Sequence, residues 1–302
     1  MKRLPAKKLP NIVITIPAYN EERSIGKVIL GIKMVMDASS YKNNYNILVL
    51  NDGSSDGTVD VAKQKGAIVV SNNKNSGLAV TFKREMEECL KMKADVIVHT
   101  DADGQYPSSY IPTMIRMVES GYDLVLGSRF SKGQYSGSLM KRLGNIAFAK
   151  VFSGLLKIRL SDTTTGFRAF TSDVAKLQLI NSFTYTQEQI IRAGKANMKI
   201  KEIHIKTNRT RPSRLFKNPF DYALKAWINI LRIYRDFEPL MFFGRIGLFF
   251  VFMGLLLGVY IVYTEITTGR VGGVPRVVLS MLLILIGVQI GLFGFLADMQ
   301  RR

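Results

Sequence analysis

The stretch "DVIVHTDADGQY" (residues 95–106) runs from β-branched apolar residues straight into two carboxylates one residue apart, Asp101 and Asp103, with Gln105 two positions further on. An apolar run without polar alternation belongs to a strand buried on both faces, as in a parallel sheet. In such sheets ligands bind beyond the carboxyl ends of the strands. The same pattern repeats along the N-terminal half. "NIVITIP" (11–17) leads into "PAYNEE", "NILVLN" (46–51) into "NDGSSDGT", and "DLVLGS" (123–128) into "GSRF", with "AIVVS" (67–71) as a further strand. Helical patterns over 21–36, 56–65, 77–91 and 108–120 lie between them. The alternation predicts an α/β domain with a mostly parallel sheet covered on both faces. Four polar loops then gather on one sheet edge, which makes a binding site.

The chain has 302 residues, enough for one sizeable α/β domain and an appendage. Hydrophobic residues make up 47% of it, and the excess lies after residue 240. The net charge of +19 points to a polyanionic partner, either nucleic acid or an anionic membrane surface. A single cysteine, Cys89, excludes an intramolecular disulfide framework and a CxxC metal site. It is expected as a half-buried helix residue. The basic "MKRLPAKKLP" start has no apolar h-region behind it, so it does not read as a signal peptide.

Residues 246–263 carry no charge, and 277–297 carry Gln289 as their only strongly polar side chain. Both are long enough to cross a bilayer and lack the polar stripe of a soluble core helix. The turn-rich link "TEITTGRVGGVPR" joins them as a transmembrane hairpin. Lys225, Arg232, Arg235 and Arg245 precede the first span, Arg301 and Arg302 follow the second, and Arg270 and Arg276 lie between, so the charge bias near the spans is modest. The large Lys-rich N-terminal domain argues that it and both termini are cytoplasmic, with the protein held in the cell membrane. Between domain and hairpin, Phe220, Ala223, Leu224, Trp227, Ile228, Leu231, Tyr234 and Phe237 recur at helical spacing, as in a helix lying in the membrane interface. Residues 143–158 are a second stretch of this kind. Basic residues at an anionic leaflet contribute about 1 kcal/mol each, which accounts for the charge without nucleic acid. The expected division is a catalytic domain over 1–217, an interfacial helix over 218–240 and the hairpin over 241–302.

No GxGxxG follows the first strand and no GxxxxGK[ST] occurs, which weakens dinucleotide and P-loop readings. What remains is a nucleotide site without a glycine-rich phosphate cradle, where a metal must offset the diphosphate charge. In an extended segment Asp101 and Asp103 would share one face. Their oxygens suit Mg²⁺ or Mn²⁺, which bind through one or two carboxylates plus substrate phosphates.

"PAYNEE", "NDGSSDGT", "DADGQ", "GSRF" and "DTTTGFRAF", in this order and spacing, resemble the inverting family 2 glycosyltransferases of the Rossmann-like GT-A fold. The subgroup they are most similar to is the dolichyl- or polyprenyl-phosphate sugar synthases. The resemblance covers roughly residues 10–240, and a two-span C-terminal anchor is common in that subgroup. It implies that Pro17, Ala18, Tyr19 and Glu21 hold the base and ribose and that Asp52 accepts a hydrogen bond from the base edge. Asn51 stands where the family often has a further acid. Uracil and guanine can both donate to Asp52, so it does not choose between UDP- and GDP-sugars. Asp101, Ala102, Asp103 and Gln105 match the metal and diphosphate segment. Arg129 and Arg142 match positions that meet the acceptor phosphate, and Arg209, Arg211 and Arg214 match a later basic segment without a clear choice among them. Glu188 matches an acid near acceptor or sugar, against the plainer reading of an exposed helix glutamate. Thr165 and Gly166 belong to a loop closing over the donor, and Arg168 is either part of it or a structural ion pair.

A polyprenyl monophosphate is already an anion at neutral pH, so its oxygen can attack the anomeric carbon without a general base. The two histidines, His99 and His204, are accordingly expected to be structural. A metal on the leaving diphosphate and arginines on the acceptor phosphate would bring the two anions together, with Asp103, Arg129 and Glu188 as the residues carrying catalysis. A processive polysaccharide synthase would need a QxxRW-type segment and more spans, whereas Trp227 follows "LKA". A non-catalytic membrane scaffold explains the charge but not the ordered strand-end motifs. The sugar stays open among mannose, glucose and N-acetylglucosamine, although "GSRFSKGQYSG" lacks the double glycine associated with mannose synthases. A homo-oligomer is open as well.

Overall fold

The computed structural model describes residues 9–130, 139–179, 185–208, 228, 231, 232, 234–269 and 273–300; within 139–148 only the side chain of residue 146 is described. Two compact units divide the chain, Met1–Lys217 and Asn218–Arg302.

The first unit is built on a seven-stranded sheet in the order β3-β2-β1-β4-β6-β5-β7. Its strands are β1 (Ile12–Ala18), β2 (Tyr45–Asn51), β3 (Ile68–Ser71), β4 (Val96–His99), β5 (Leu124–Ser128), β6 (Arg168–Thr171) and β7 (Ile200–His204). Helices α1 (Glu22–Asp37), α2 (Thr58–Gln64), α3 (Leu78–Lys91), α4 (Ile111–Glu119), α5 (Leu139–Leu156), α6 (Ser172–Ala175) and α7 (Tyr185–Lys195) connect them. β1 reads "IVITIPA" and is buried at all seven positions, as a central parallel strand must be. Helix α1 covers it with Ile25, Ile29, Ile32 and Met36, spaced to share one helix face.

The sheet is mostly parallel, with one exception. β6 runs antiparallel between β4 and β5. "DTTTGFRAF" is therefore a loop only as far as Phe167, and Arg168 opens a strand. β7 then pairs parallel to β5 at the sheet edge. Neither strand is evident from periodicity, because "RAFT" and "IKEIH" carry charged side chains in place of an unbroken apolar run. Cys89 is fully buried on α3, not half-buried as expected; burial, with Glu85 and Glu88 nearby, pushes its thiol well above the ordinary range.

In the second unit, helices α8 (Pro239–Thr268) and α9 (Val274–Met299) are long and apolar enough to cross a membrane. Their facing residues are mostly small and recur every seventh position: Gly247, Gly254 and Ile261 on α8, Ser280, Gly287 and Gly294 on α9. Side chains would hold the backbones apart; a Cβ on Gly247 would lie 2.5 Å from the Gly287 carbonyl oxygen. Ser280 Oγ donates to the Gly254 carbonyl at 2.7 Å, a buried cross-helix bond. Leu, Phe and Val side chains cover the outside of the pair. Most of the expected interfacial segment lies outside the described residues, and those described between 228 and 237 are helical.

Candidate functional site

The strand order reverses at β1, with β2 and β3 on one side and β4 on the other. Pairing between β1 and β4 stops at Thr15–His99, while β1 and β2 stay paired to Ala18–Asn51. The chains therefore splay apart beyond Thr15 and open a crevice, the position where open α/β sheets take ligands. Pro17 lies past the last β4 pairing, so its missing N–H costs no bond to that strand. Pro17, Ala18, Tyr19 and Glu21 lie at or just past the carboxyl end of β1, and Asp101–Gln105 just past that of β4.

The first two loops are knitted together by side chains. Asn20, in the left-handed region at φ 53°, donates its N–H to Ser54 Oγ at 2.9 Å and accepts from Ser55 N–H at 2.9 Å. Glu21 N–H donates to Thr58 Oγ1 at 2.8 Å. Tyr19 stands exposed beside them. Asp52 is buried and holds a third loop: Oδ1 accepts from Asn72 Nδ2 at 2.8 Å and Ser76 N–H at 2.9 Å, and Oδ2 from Gly77 N–H at 2.9 Å. Gly53 allows that loop to close, since a Cβ there would sit 2.7 Å from Asn75 N and its φ is +75°. The expected base-edge acceptor is thus also a loop anchor.

The "DADGQ" segment departs from the expected extended form. β4 ends at His99, and 102–104 turn, with Gly104 at φ +74° and Asp103 Oδ1 accepting Gln105 N–H at 2.9 Å. A turn, not strand alternation, brings the carboxylates together. Burial raises the Asp101 pKa to about 6, and the charges of Asp103 and Glu85 add to the rise, while His99 and Arg129 oppose it. Gly166 lies against Asp101, where a Cβ would come within 3.0 Å of Oδ1. Tyr106 stacks on Phe167 with ring centres 5.2 Å apart and receives the Gly166 N–H at 3.3 Å, so the "DTTTGF" loop is seated on the acidic turn. Thr165 is buried in that loop and Ala102 in the turn.

Among the described residues no group of three or more His, Cys, Asp or Glu is arranged to hold a metal. The expected donor set is the pair Asp101 and Asp103 with Gln105. It fits a hard divalent cation that completes its shell with water and phosphate oxygens, and not a zinc site closed by protein ligands.

Arg129, just past β5, is oriented by fully buried Asp162. Nε donates to Oδ2 at 2.7 Å and Nη2 to Oδ1 at 3.1 Å, and Nη2 also reaches Thr164 Oγ1 at 2.9 Å. Asp162 is in turn held by Glu202 of β7, which accepts the Ser161 and Asp162 N–H groups at 2.8 and 2.9 Å and Ser161 Oγ at 2.8 Å. Arg168 is fully buried and pairs with no acid among the described residues. Its guanidinium donates to the Thr165 carbonyl, the Thr186 carbonyl at 3.0 Å and Gln189 Oε1 at 2.8 Å, tying the "DTTTGF" loop to α7. Burial lowers its pKa to about 10. Glu188 is buried, not an exposed helix glutamate, and accepts from Arg192 Nε at 2.7 Å. The side chain of Arg142, and Arg209, Arg211 and Arg214 altogether, lie outside the described residues.

His99 is fully buried with Nδ1 3.0 Å from Glu85 Oε2, while Thr15 Oγ1 donates to Glu85 Oε1 at 2.6 Å. Sequence reasoning named His99 and missed Glu85, although Glu85 shares a helix face with Leu78, Phe82 and Cys89 at spacings of seven, three and four. Asp162 lay inside a quoted motif with no role attached. Glu202, in "KEIHI", carried no signal at all.

This sheet, with its loops gathered at one edge, defines an α/β fold of the GT-A type. Among solved structures, glucosyl-3-phosphoglycerate synthase from Mycobacterium tuberculosis, crystallised with Mn²⁺, uridine diphosphate and phosphoglyceric acid, shares it at TM-score 0.58 and 17% identity, over 74% of this chain and 78% of that one. The chain belongs to glycosyl transferase family 2, whose family model matches residues 13–177, more than half of its length. Its curated relatives include a dolichyl-phosphate hexose transferase of Haloferax volcanii, 32% identical over 65% of this chain and 82% of the relative. The glycosyltransferase AglJ of the same organism is 30% identical over 95% of this chain and 93% of its own. A UDP-N-acetylglucosamine–dolichyl-phosphate N-acetylglucosaminyltransferase of Methanococcus voltae is 29% identical over 76% and 94%. The protein is a glycosyltransferase.

Proposed function

We propose that this glycosyltransferase moves a hexose or N-acetylhexosamine from a UDP- or GDP-sugar to a dolichyl or related polyprenyl phosphate, with inversion, at the cytoplasmic face of a membrane spanned by α8 and α9. The observation that carries the reading is Arg129, held in place through its Nε and Nη2 by Asp162 on the same sheet edge as the Asp101–Asp103 turn. One element suits a phosphate monoester and the other a diphosphate. Two relatives named for dolichyl-phosphate acceptors support the lipid assignment.

Pro17, Ala18, Tyr19 and Glu21 would flank the nucleoside. A carboxylate has about four lone-pair sites, and Asp52 uses three on the 72–77 loop, so one remains for a base N–H. Asp101, Asp103 and Gln105 would hold Mg²⁺ or Mn²⁺, which supplies charge neutralisation for the departing diphosphate. Arg129, with Arg142 and the basic segment containing Arg209 and Arg211, would fix the acceptor phosphate. A phosphate oxygen then bonds to the anomeric carbon as the bond from that carbon to the diphosphate oxygen breaks on the opposite face. The acceptor oxygen is anionic from the start, so no proton has to be removed. Glu188, buried and paired with Arg192, would line the sugar or acceptor side without acting as a base.

The test is a donor scan on the full chain in detergent, with Mn²⁺, dolichyl phosphate and, in turn, GDP-mannose, UDP-glucose and UDP-N-acetylglucosamine. Lipid-dependent release of nucleoside diphosphate from one donor is expected. Release that ignores the lipid would move the acceptor elsewhere, and failure to bind any of the donors would overturn the reading.

A further inference from the structure

β7 and the residues that follow it belong to no quoted motif, yet they touch the backbone of both halves of the site. On the acceptor side, Glu202 receives Ser161 N–H at 2.8 and 2.9 Å, Asp162 N–H at 2.9 Å and Ser161 Oγ at 2.8 Å. Ser161 Oγ also lies 2.6 Å from Ser128 Oγ, one residue before Arg129. The end of β5 is pinned again by Ile205, whose N–H donates to the Ser128 carbonyl at 3.0 Å. On the donor side, Asn208 N–H donates to the Gln105 carbonyl at 2.9 Å and its Nδ2 to the Gly104 carbonyl at 3.0 Å. These two carbonyls belong to the turn that carries Asp101 and Asp103.

We propose that the segment 200–208 is a bracket that sets the two half-sites, with Glu202 the positioning residue for Arg129 and Asn208 the positioning residue for the acidic turn. The inference rests on the acceptor and donor roles proposed above. A guanidinium on a long side chain binds a phosphate well only if its fork already points the right way. Asp162 takes the Nε–Nη2 edge and so sets where the rest of the guanidinium points, and Glu202 fixes the backbone from which Asp162 projects. The Gly104 turn is likewise fixed from outside, by a side chain that makes no contact with Arg129's partners in the described hydrogen bonds.

The bracket predicts a split that a general structural role does not. Glu202→Gln puts an NH₂ group among N–H and O–H donors, so the KM for dolichyl phosphate is expected to rise about tenfold while that for the nucleotide sugar moves less than about twofold. Asn208→Ala keeps the backbone bond and loses one exposed side-chain bond. It should raise the donor KM and the Mn²⁺ requirement about threefold and leave the lipid KM alone. Ser161→Ala retains both N–H donors to Glu202 and serves where Glu202→Gln folds poorly, with a rise of about threefold in the lipid KM alone. Equal changes in both KM values, or none, would overturn the bracket. A readout that needs no turnover accompanies these: the Nε–H resonance of Arg129 in arginine-labelled protein, identified by its loss in Arg129→Lys. Its exchange with water should quicken in Glu202→Gln; unchanged exchange counts against the proposal. If the unmodified chain shows no lipid-dependent turnover, the acceptor reading has failed, and this exchange measurement alone decides the bracket.

Discussion

Asp103 and Arg129 separate the two halves of the reaction at the scale of single residues. Asp103 caps its own turn through Gln105 N–H and raises the proton affinity of Asp101 by its charge. Asp103→Ala therefore removes half of the carboxylate pair and loosens the turn. Turnover is expected to fall about a hundredfold or more, the scale seen when transition-state charge stabilisation is lost, and EDTA should abolish wild-type turnover. Near-normal rates in EDTA would defeat the metal assignment. Arg129 needs a subtler substitution, since Arg129→Ala would leave buried Asp162 unpaired, a loss of about 3–5 kcal/mol in stability. Arg129→Lys keeps the charge and breaks the fork. Its lipid-phosphate KM should rise about tenfold with the donor KM little changed; a parallel rise in both would argue against an acceptor role. The positions of the carboxylates and Arg129 were legible because each comes shortly after an apolar run, while the role expected of Arg129 came from the family resemblance. Asp162 and Glu202 were not, since what they do is hold other residues from 33 and 40 or so positions away.

Among elements, the hairpin gives the cleanest contrast. Gly287 sits against α8, where a Cβ would lie 2.5 Å from the Gly247 carbonyl oxygen and 2.7 Å from Val251 N, whereas Gly291 has nothing within 4 Å. Gly287→Ala should cost about 1–3 kcal/mol through overpacking. Gly291→Ala should be neutral or slightly stabilising, because alanine favours a helix by up to about 1 kcal/mol over glycine. Unfolding of the full chain in mixed detergents, followed by circular dichroism, compares the two; equal losses would mean that the helices do not pack through Gly287. Composition alone marks both helices as apolar, but the seven-residue spacing of the mostly small facing residues gains meaning only once the two helices are paired. In the sheet, the long β1 and β2 were readable from their unbroken apolar runs. β6 and β7 were not, since charged residues interrupt "RAFT" and "IKEIH" and their pairing depends on distant neighbours.

For the whole molecule, the proposed topology puts the link between α8 and α9 across the membrane from the catalytic unit. Cys89 is buried, so introduced cysteines can report sidedness. Thr268→Cys, at the exposed end of α8, should react with a membrane-impermeant maleimide added outside intact cells, and Asn197→Cys, exposed after α7, should react only after lysis. The reverse pattern would place the catalytic unit outside. What the sequence by itself determined is the local chemistry and its order: apolar runs that must be buried, polar loops at their carboxyl ends, two apolar helices, and motifs carrying Asp52, Asp101, Asp103 and Arg129. Those features depend on neighbours a few residues apart. Only the tertiary structure decided that an antiparallel strand separates β4 from β5, that a turn pairs the two carboxylates, that Asp52 anchors the 72–77 loop, and that Glu202 steadies Asp162. Each of these is a hydrogen bond or strand pairing whose partner's place depends on how the chain folds, and residue spacing along the chain carries no record of that.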